Sequence, residues 1–156
     1  MDRLTRLMGK TSLSYLLVGF ILGAFLMISE GMGANWGYAW RNAHAHLLFV
    51  GWFVQFALGI AYWLLPRRKT PERPLGYKEL PAFIAWGMIN TGILMRVVIE
   101  PLYLLGTFKG TWVAVALGIS GLLQVGAALT WVSQLWGRFF LRYTASTRPA
   151  PKTPES

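Results

Sequence analysis

The chain has 156 residues, 54% of them hydrophobic and only 13% charged, with a formal net charge of +9. Together with a positive mean hydropathy this excludes an ordinary soluble domain and fits a membrane protein. No basic soluble domain is present to carry nucleic acid, so the positive excess reads as a topology signal with attraction to anionic headgroups.

Residues 1–11 read as a short cytoplasmic lead-in. Four apolar stretches of spanning length follow, over 12–32, 42–65, 80–105 and 111–136, each reaching the ~20 residues that cross ~30 Å of hydrocarbon. The first is too long for a signal peptide and no small-residue cleavage site follows it cleanly, so it reads as a retained helix. The loop over 33–41 is short and aromatic. The loop over 66–74 combines prolines with like charges and reads as an exposed, extended connection. A tight turn is expected over 106–110. The domain over 12–143 ends in a tail, 144–156, whose Pro, Ser and Thr content reads as disordered.

Lys and Arg placement sets the orientation. Arg3, Arg6 and Lys10, then Arg67, Arg68, Lys69, Arg73 and Lys78, then Arg138, Arg142, Arg148 and Lys152 all fall at one end. The first and third loops offer only Arg41 and Lys109. Both termini are therefore expected in the cytoplasm, with Trp36, Trp40 and Trp112 in an outer aromatic belt.

The two histidines of the chain stand together as His44-Ala45-His46, near the outer end of the second stretch. Two residues apart on an α-helix, they point ~200° away from each other. One metal ion cannot take both from a straight helix, whereas iron porphyrins on opposite sides could. An unsatisfied imidazole in lipid is costly, so each ring must face a bundle interior, a cavity, a cofactor or the headgroups. Heme is the leading reading; histidines wetted at the interface, or a bound copper or zinc, are the alternatives. With no cysteine in the chain, covalent heme attachment through Cys-x-x-Cys-His is excluded, and non-covalent heme b is the expected form.

At ~100° per residue, His44, Gly51, Gln55 and Tyr62 share one face, with Leu48 and Gly59 nearby. Glycine there lets a flat macrocycle approach closely; equally, it lets another helix do so. The opposite face, below His46, carries Phe53, Ala57 and Leu64 and is apolar. In the third stretch Arg96 and Glu100 stand four apart and can pair. By rise per residue they lie at about the depth of the histidines. An arginine fork suits a heme propionate, with Glu100 orienting it; a purely structural pair is the other reading, and Glu30 is an alternative partner for Arg96. Met88 and Met95 read as packing filler. Trp86, Trp131 and Trp136 read as interhelix and interfacial residues. Asn90, Gln124 and Gln134 are candidates for interhelix hydrogen bonds.

The string from Ala43 through His44, His46, Gly51 and Trp52 to Gly59, Tyr62 and Pro66 resembles a segment of the heme-copper oxidase superfamily. The likeness is to small subunit-I-like proteins near the nitric oxide reductase branch. It covers about 25 residues well, with weaker support from Arg96 to Pro101. That family's catalytic subunit has twelve helices in approximate threefold pseudosymmetry, with ligands on helices two, six and ten. A His-x-His pair on its helix ten serves two hemes. The resemblance therefore implies an all-α membrane protein in a prokaryotic plasma membrane, a four-transmembrane-helix bundle that trimerises into a twelve-helix ring. His44 of one protomer and His46 of its neighbour would then sandwich one heme at each interface. The further histidines of the family's copper site are missing, so no copper is expected, and proton-channel acids have no counterpart. Oxygen reduction is not carried over.

The expected function is that of a membrane b-type cytochrome, binding heme through His44 and His46 and exchanging electrons with a quinol or a periplasmic cytochrome. Arg96, Glu100, Gly51, Gln55 and Tyr62 are the further candidate site residues. A second reading leaves one axial position open to nitric oxide or oxygen, with Glu100 or Tyr62 as proton donor. A third is a cofactor-free accessory subunit of a respiratory complex.

Overall fold

A computed structural model describes residues 1–67, 70–71 and 73–140. The expected tail over 144–156 lies outside them. Among the described residues four helices are long and apolar enough to cross a membrane: Arg3–Gly31, Gly37–Leu64, Glu79–Leu104 and Thr111–Arg138. The first is α1. The second is composite, with α2 (Gly37–His46), a π-helical segment (Leu47–Val54) and α3 (Gln55–Leu64) end to end. The third is α4 (Glu79–Leu104), and the fourth is α5 (Thr111–Leu135) closed by a 3₁₀ turn, Trp136–Arg138.

α1 starts earlier than its apolar run because Asp2 caps it, accepting from the Thr5 N–H at 2.9 Å. The segment read as a lead-in is thus helical from Arg3. At the other end Gly33 takes φ +64°, and the Ser29 hydroxyl donates to the Ala34 carbonyl at 3.0 Å. Gly37 then passes so close that a Cβ there would come within 2.7 Å of Ser29 Oγ. The second span consequently begins at Gly37 rather than at Asn42, and most of the expected aromatic loop is helix.

The second span packs between α1 and α4, and α5 packs on α4. α5 reaches the second span through α3, and α1 and α5 do not meet among the described residues. The four spans therefore make an open arc rather than a closed square. Only 17–28% of each span's most apolar window is buried, so most of the apolar side chains face outward.

Polar joints fasten the interior. Gln55 Oε1 accepts from Asn90 at 3.0 Å and from Thr11 at 3.3 Å, tying three spans at one depth. Ser120 donates to the Gly92 carbonyl at 2.7 Å, and Gln124 bonds within its own helix to Ser120. Met88 fills the place of a Cβ at Gly126, the packing role expected of it.

The end that carries Asp2, Arg67 and Arg138 is knotted by charge. Arg67 bridges Asp2 at 3.0 Å and donates to the Tyr62 carbonyl at 2.8 Å. Arg138 is 4% exposed and donates to the carbonyls of Tyr62, Leu65 and Pro66 at 3.1, 2.6 and 3.1 Å. Its guanidinium also lies 5.7 Å from the Tyr62 ring centroid. Both are corrections to the sequence reading, which counted Arg138 only as an orientation signal and left Arg67 in an exposed loop. The last carbonyls of a helix lack partners in their own helix, and a guanidinium fork supplies several donors at once. At the opposite end Gly106 (φ +75°) and Gly110 (φ +100°) make the expected tight turn.

Candidate functional site at the histidine pair

α2 carries both histidines in regular helix, and the π-helical segment begins immediately after His46. His44 leans on α1, its Nδ1 lying 2.9 Å from the Gly19 carbonyl oxygen. His46 turns back on its own helix, with Nδ1 3.0 Å from the Asn42 carbonyl oxygen. A carbonyl only accepts, so Nδ1 donates in each ring and Nε2 is the nitrogen turned away from that bond. Neither Nε2 has a hydrogen-bond partner among the described residues. Both imidazoles are half-buried.

The His44 ring lies over Gly23, where a Cβ would come within 2.7 Å of Cε1. It lines an open groove of about 480 Å³ between α1 and α2, walled by Phe20, Ala24, Met27 and Leu48. Glu30 and Arg41 rim the groove and pair at 3.5 Å across it. His46 is not among the lining residues, so one protomer does not bring both rings to one place.

On the other side of α2, Glu100 binds two partners at once. Oε1 accepts from Asn42 at 2.9 Å and Oε2 accepts from Arg96 Nε at 2.9 Å. α2 and α4 run antiparallel. His46 lies one turn along from Asn42, and Arg96 one turn back from Glu100, which sets His46 and Arg96 at similar depth. The expected pairing of Arg96 with Glu100 is present. Glu30, the alternative partner, is with Arg41 instead.

The face expected to carry a cofactor below His44 exists, but α1 covers it. Gly51 receives Tyr15, whose Cγ lies 2.8 Å from where a Cβ would be, and Gly59 receives Met8 at 3.3 Å. Gln55 is fully buried in its hydrogen-bond joint. Tyr62, equally buried, donates to Gln134 at 3.0 Å and stacks edge-on with Tyr77 at 4.9 Å. Gly51, Gln55 and Tyr62 therefore do not reach the groove that His44 lines. The π-helical segment bonds i to i+5 and turns more slowly than a uniform α-helix, so angles counted through it from His44 are not those of the structure. The apolar face below His46 is outward in the single protomer: Phe53 is 53% and Leu64 65% exposed.

Sequence reasoning missed Arg41 as a groove residue, Gly19 as the carbonyl that holds His44, and Gly23 as the floor under its ring. A signal for the glycines was present, since Gly19 and Gly23 form the small-x-x-x-small spacing that lets membrane helices approach closely. Among the described residues no group of three or more His, Asp or Glu side chains gathers to hold a metal ion. The donor set in the groove is one imidazole, His44, beside mostly apolar walls.

Comparison with models of known protein families, with curated proteins and with solved structures finds no match to this chain.

Proposed function

We propose that this chain is the protomer of a membrane b-type cytochrome, with heme held between protomers by His44 of one and His46 of the next. The observation that carries this reading is the state of the two rings. Each has Nδ1–H fixed on a backbone carbonyl and Nε2 left free, the arrangement in which a histidine is oriented for a metal and made more basic toward it. The groove beside His44 adds apolar walls and a floor without a Cβ.

Two features favour sharing between copies. His44 and His46 serve different sides of α2, and the four spans form an open arc with most of its apolar surface outward. Three such arcs closing a ring would bury both sides of α2. Arg96, fixed by Glu100 near the depth of His46, has further N–H groups for a ligand carboxylate. Bound through two imidazoles, the heme would supply one-electron transfer, and the protein's part is to orient the rings, keep water out and set the local charge. The donor and acceptor read from the sequence, a quinol and a periplasmic cytochrome, stay with this proposal.

The test is the absorption spectrum of detergent-purified protein, oxidised and reduced, with a heme-to-protomer ratio. Sharp low-spin bands at about one heme per protomer are expected, lost in both His44→Ala and His46→Ala. The absence of any Soret band after heme supplementation would overturn the reading and favour an accessory subunit. A second reading rests on the groove holding only one histidine: a heme with one open axial position for nitric oxide or oxygen. A reduced spectrum that shifts strongly with carbon monoxide would select it.

A further inference from the structure

The rim of the His44 groove carries chemistry that the reading above does not use. Arg41 lies three residues before His44, hence on the same side of α2 and one turn nearer the outer end. Both side chains line the same groove. Opposite Arg41 stands Glu30, from the last turn of α1. The two approach to 3.5 Å, but both side chains are largely exposed, at 64% and 74%. An ion pair so wet is easily exchanged for a better one. The remainder of the groove is apolar. Its ligand is therefore expected to be flat and apolar along most of its edge, with charge confined to the end that meets the rim.

The geometry points to Arg41 as the residue that takes a carboxylate of the ligand in this groove, with Glu30 as the competing anion it must leave. The inference rests on the heme reading and deepens it. His44 would address the metal, and Arg41, one turn outward, would clamp one acidic side chain of the macrocycle by paired N–H···O bonds. Glu30 then opposes binding, because it holds the guanidinium in the free protein and repels the incoming carboxylate. The opposed roles of two residues that form one ion pair are the distinctive part of the proposal. If the pair mattered only for holding α1 against α2, removing either partner would have the same effect.

The test titrates the purified full-length protein, freed of heme, in detergent with two probes. One is iron protoporphyrin IX; the other is its dimethyl ester, which has the same ring and no carboxylates. Wild type is expected to bind the free acid at least ~10-fold tighter than the diester, the scale of one charge-assisted hydrogen bond. In Arg41→Gln this preference is expected to fall about fivefold or more, what remains being the share of Arg96, with diester binding changing far less. In Glu30→Gln it is expected to grow. Circular dichroism checks that the helices are kept. A preference retained in Arg41→Gln, or loss of preference in both variants alike, would overturn the role of Arg41 while leaving heme binding intact. Failure of wild type to bind either probe would overturn the heme reading itself, and with it this inference.

Discussion

At Gly51 a missing methyl group is what lets α1 and the second span touch. A Cβ there would sit 2.8 Å from Tyr15 Cγ and 2.9 Å from Cδ2, against the stem of a ring that cannot swing away cheaply. Gly51→Ala is therefore expected to destabilise the protein by ~1–3 kcal/mol, the usual cost of overpacking. Gly87, in α4, has nothing within 4 Å of a Cβ. Gly87→Ala is expected to be neutral, or to stabilise by up to ~1 kcal/mol through helix propensity. Unfolding of both variants in mixed detergent–denaturant micelles, read by circular dichroism, checks the contrast. At this scale the sequence was informative about residue type and poor on neighbours. It marked His44, Gly51, Gln55 and Tyr62 as one face, with Gly59 nearby, but a macrocycle and a packed helix ask the same of that face. Only the position of α1 decides between them, and that depends on residues far off in the chain.

The elements end where side chains can satisfy orphan backbone groups, and the clearest case joins α3 to the end of α5. Arg138 holds three carbonyls at the close of the second span while almost fully buried. Arg138→Ala is expected to leave those acceptors bare and to cost ~2–3 kcal/mol of stability, with Arg138→Lys recovering only part, because an ammonium lacks the fork. The same knot gives a pH dependence. Burial first, and then the nearby Asp2 carboxylate, hold the Tyr77 phenol above its ordinary value of 10.0. The folded state thus prefers the neutral phenol, and the unfolded chain releases the proton first. This contribution is fully present below pH 10 and is lost as pH rises towards the folded value. The fall in stability above about pH 10 is expected to be shallower in Tyr77→Phe, as measured by denaturant unfolding across that range. Neither arginine of the knot was legible from sequence. Lys and Arg near span ends carry a topology signal whatever they touch, so their count sets an orientation without revealing that two of them serve as helix caps.

On the scale of the whole molecule, the open arc and the outward apolar surface are the features with most consequence. Lipid covers such a surface as readily as protein does, so the arc permits association without dictating it. Native mass spectrometry of the detergent-solubilised protein is expected to give three protomers, with heme retained in the assembly. A monomer that keeps its full heme would overturn the interfacial arrangement, since a single protomer does not bring His44 and His46 to one place.

The sequence by itself determined the class of the molecule. A run of ~20 apolar residues has one stable option in hydrocarbon, a helix with all its backbone groups bonded within the segment, and four such runs give four helices. It also determined where its only imidazoles stand, because two histidines in such a run are conspicuous against apolar neighbours. What the tertiary structure decided is which surfaces those residues meet. α1 covers the glycine face, Gly19 offers its carbonyl to His44, and Arg41 comes to the rim of the His44 groove. The first two pairings join residues 25 or more positions apart through close packing, which depends on shape at the scale of a single methyl group. The local pattern of polar and apolar residues does not encode that shape.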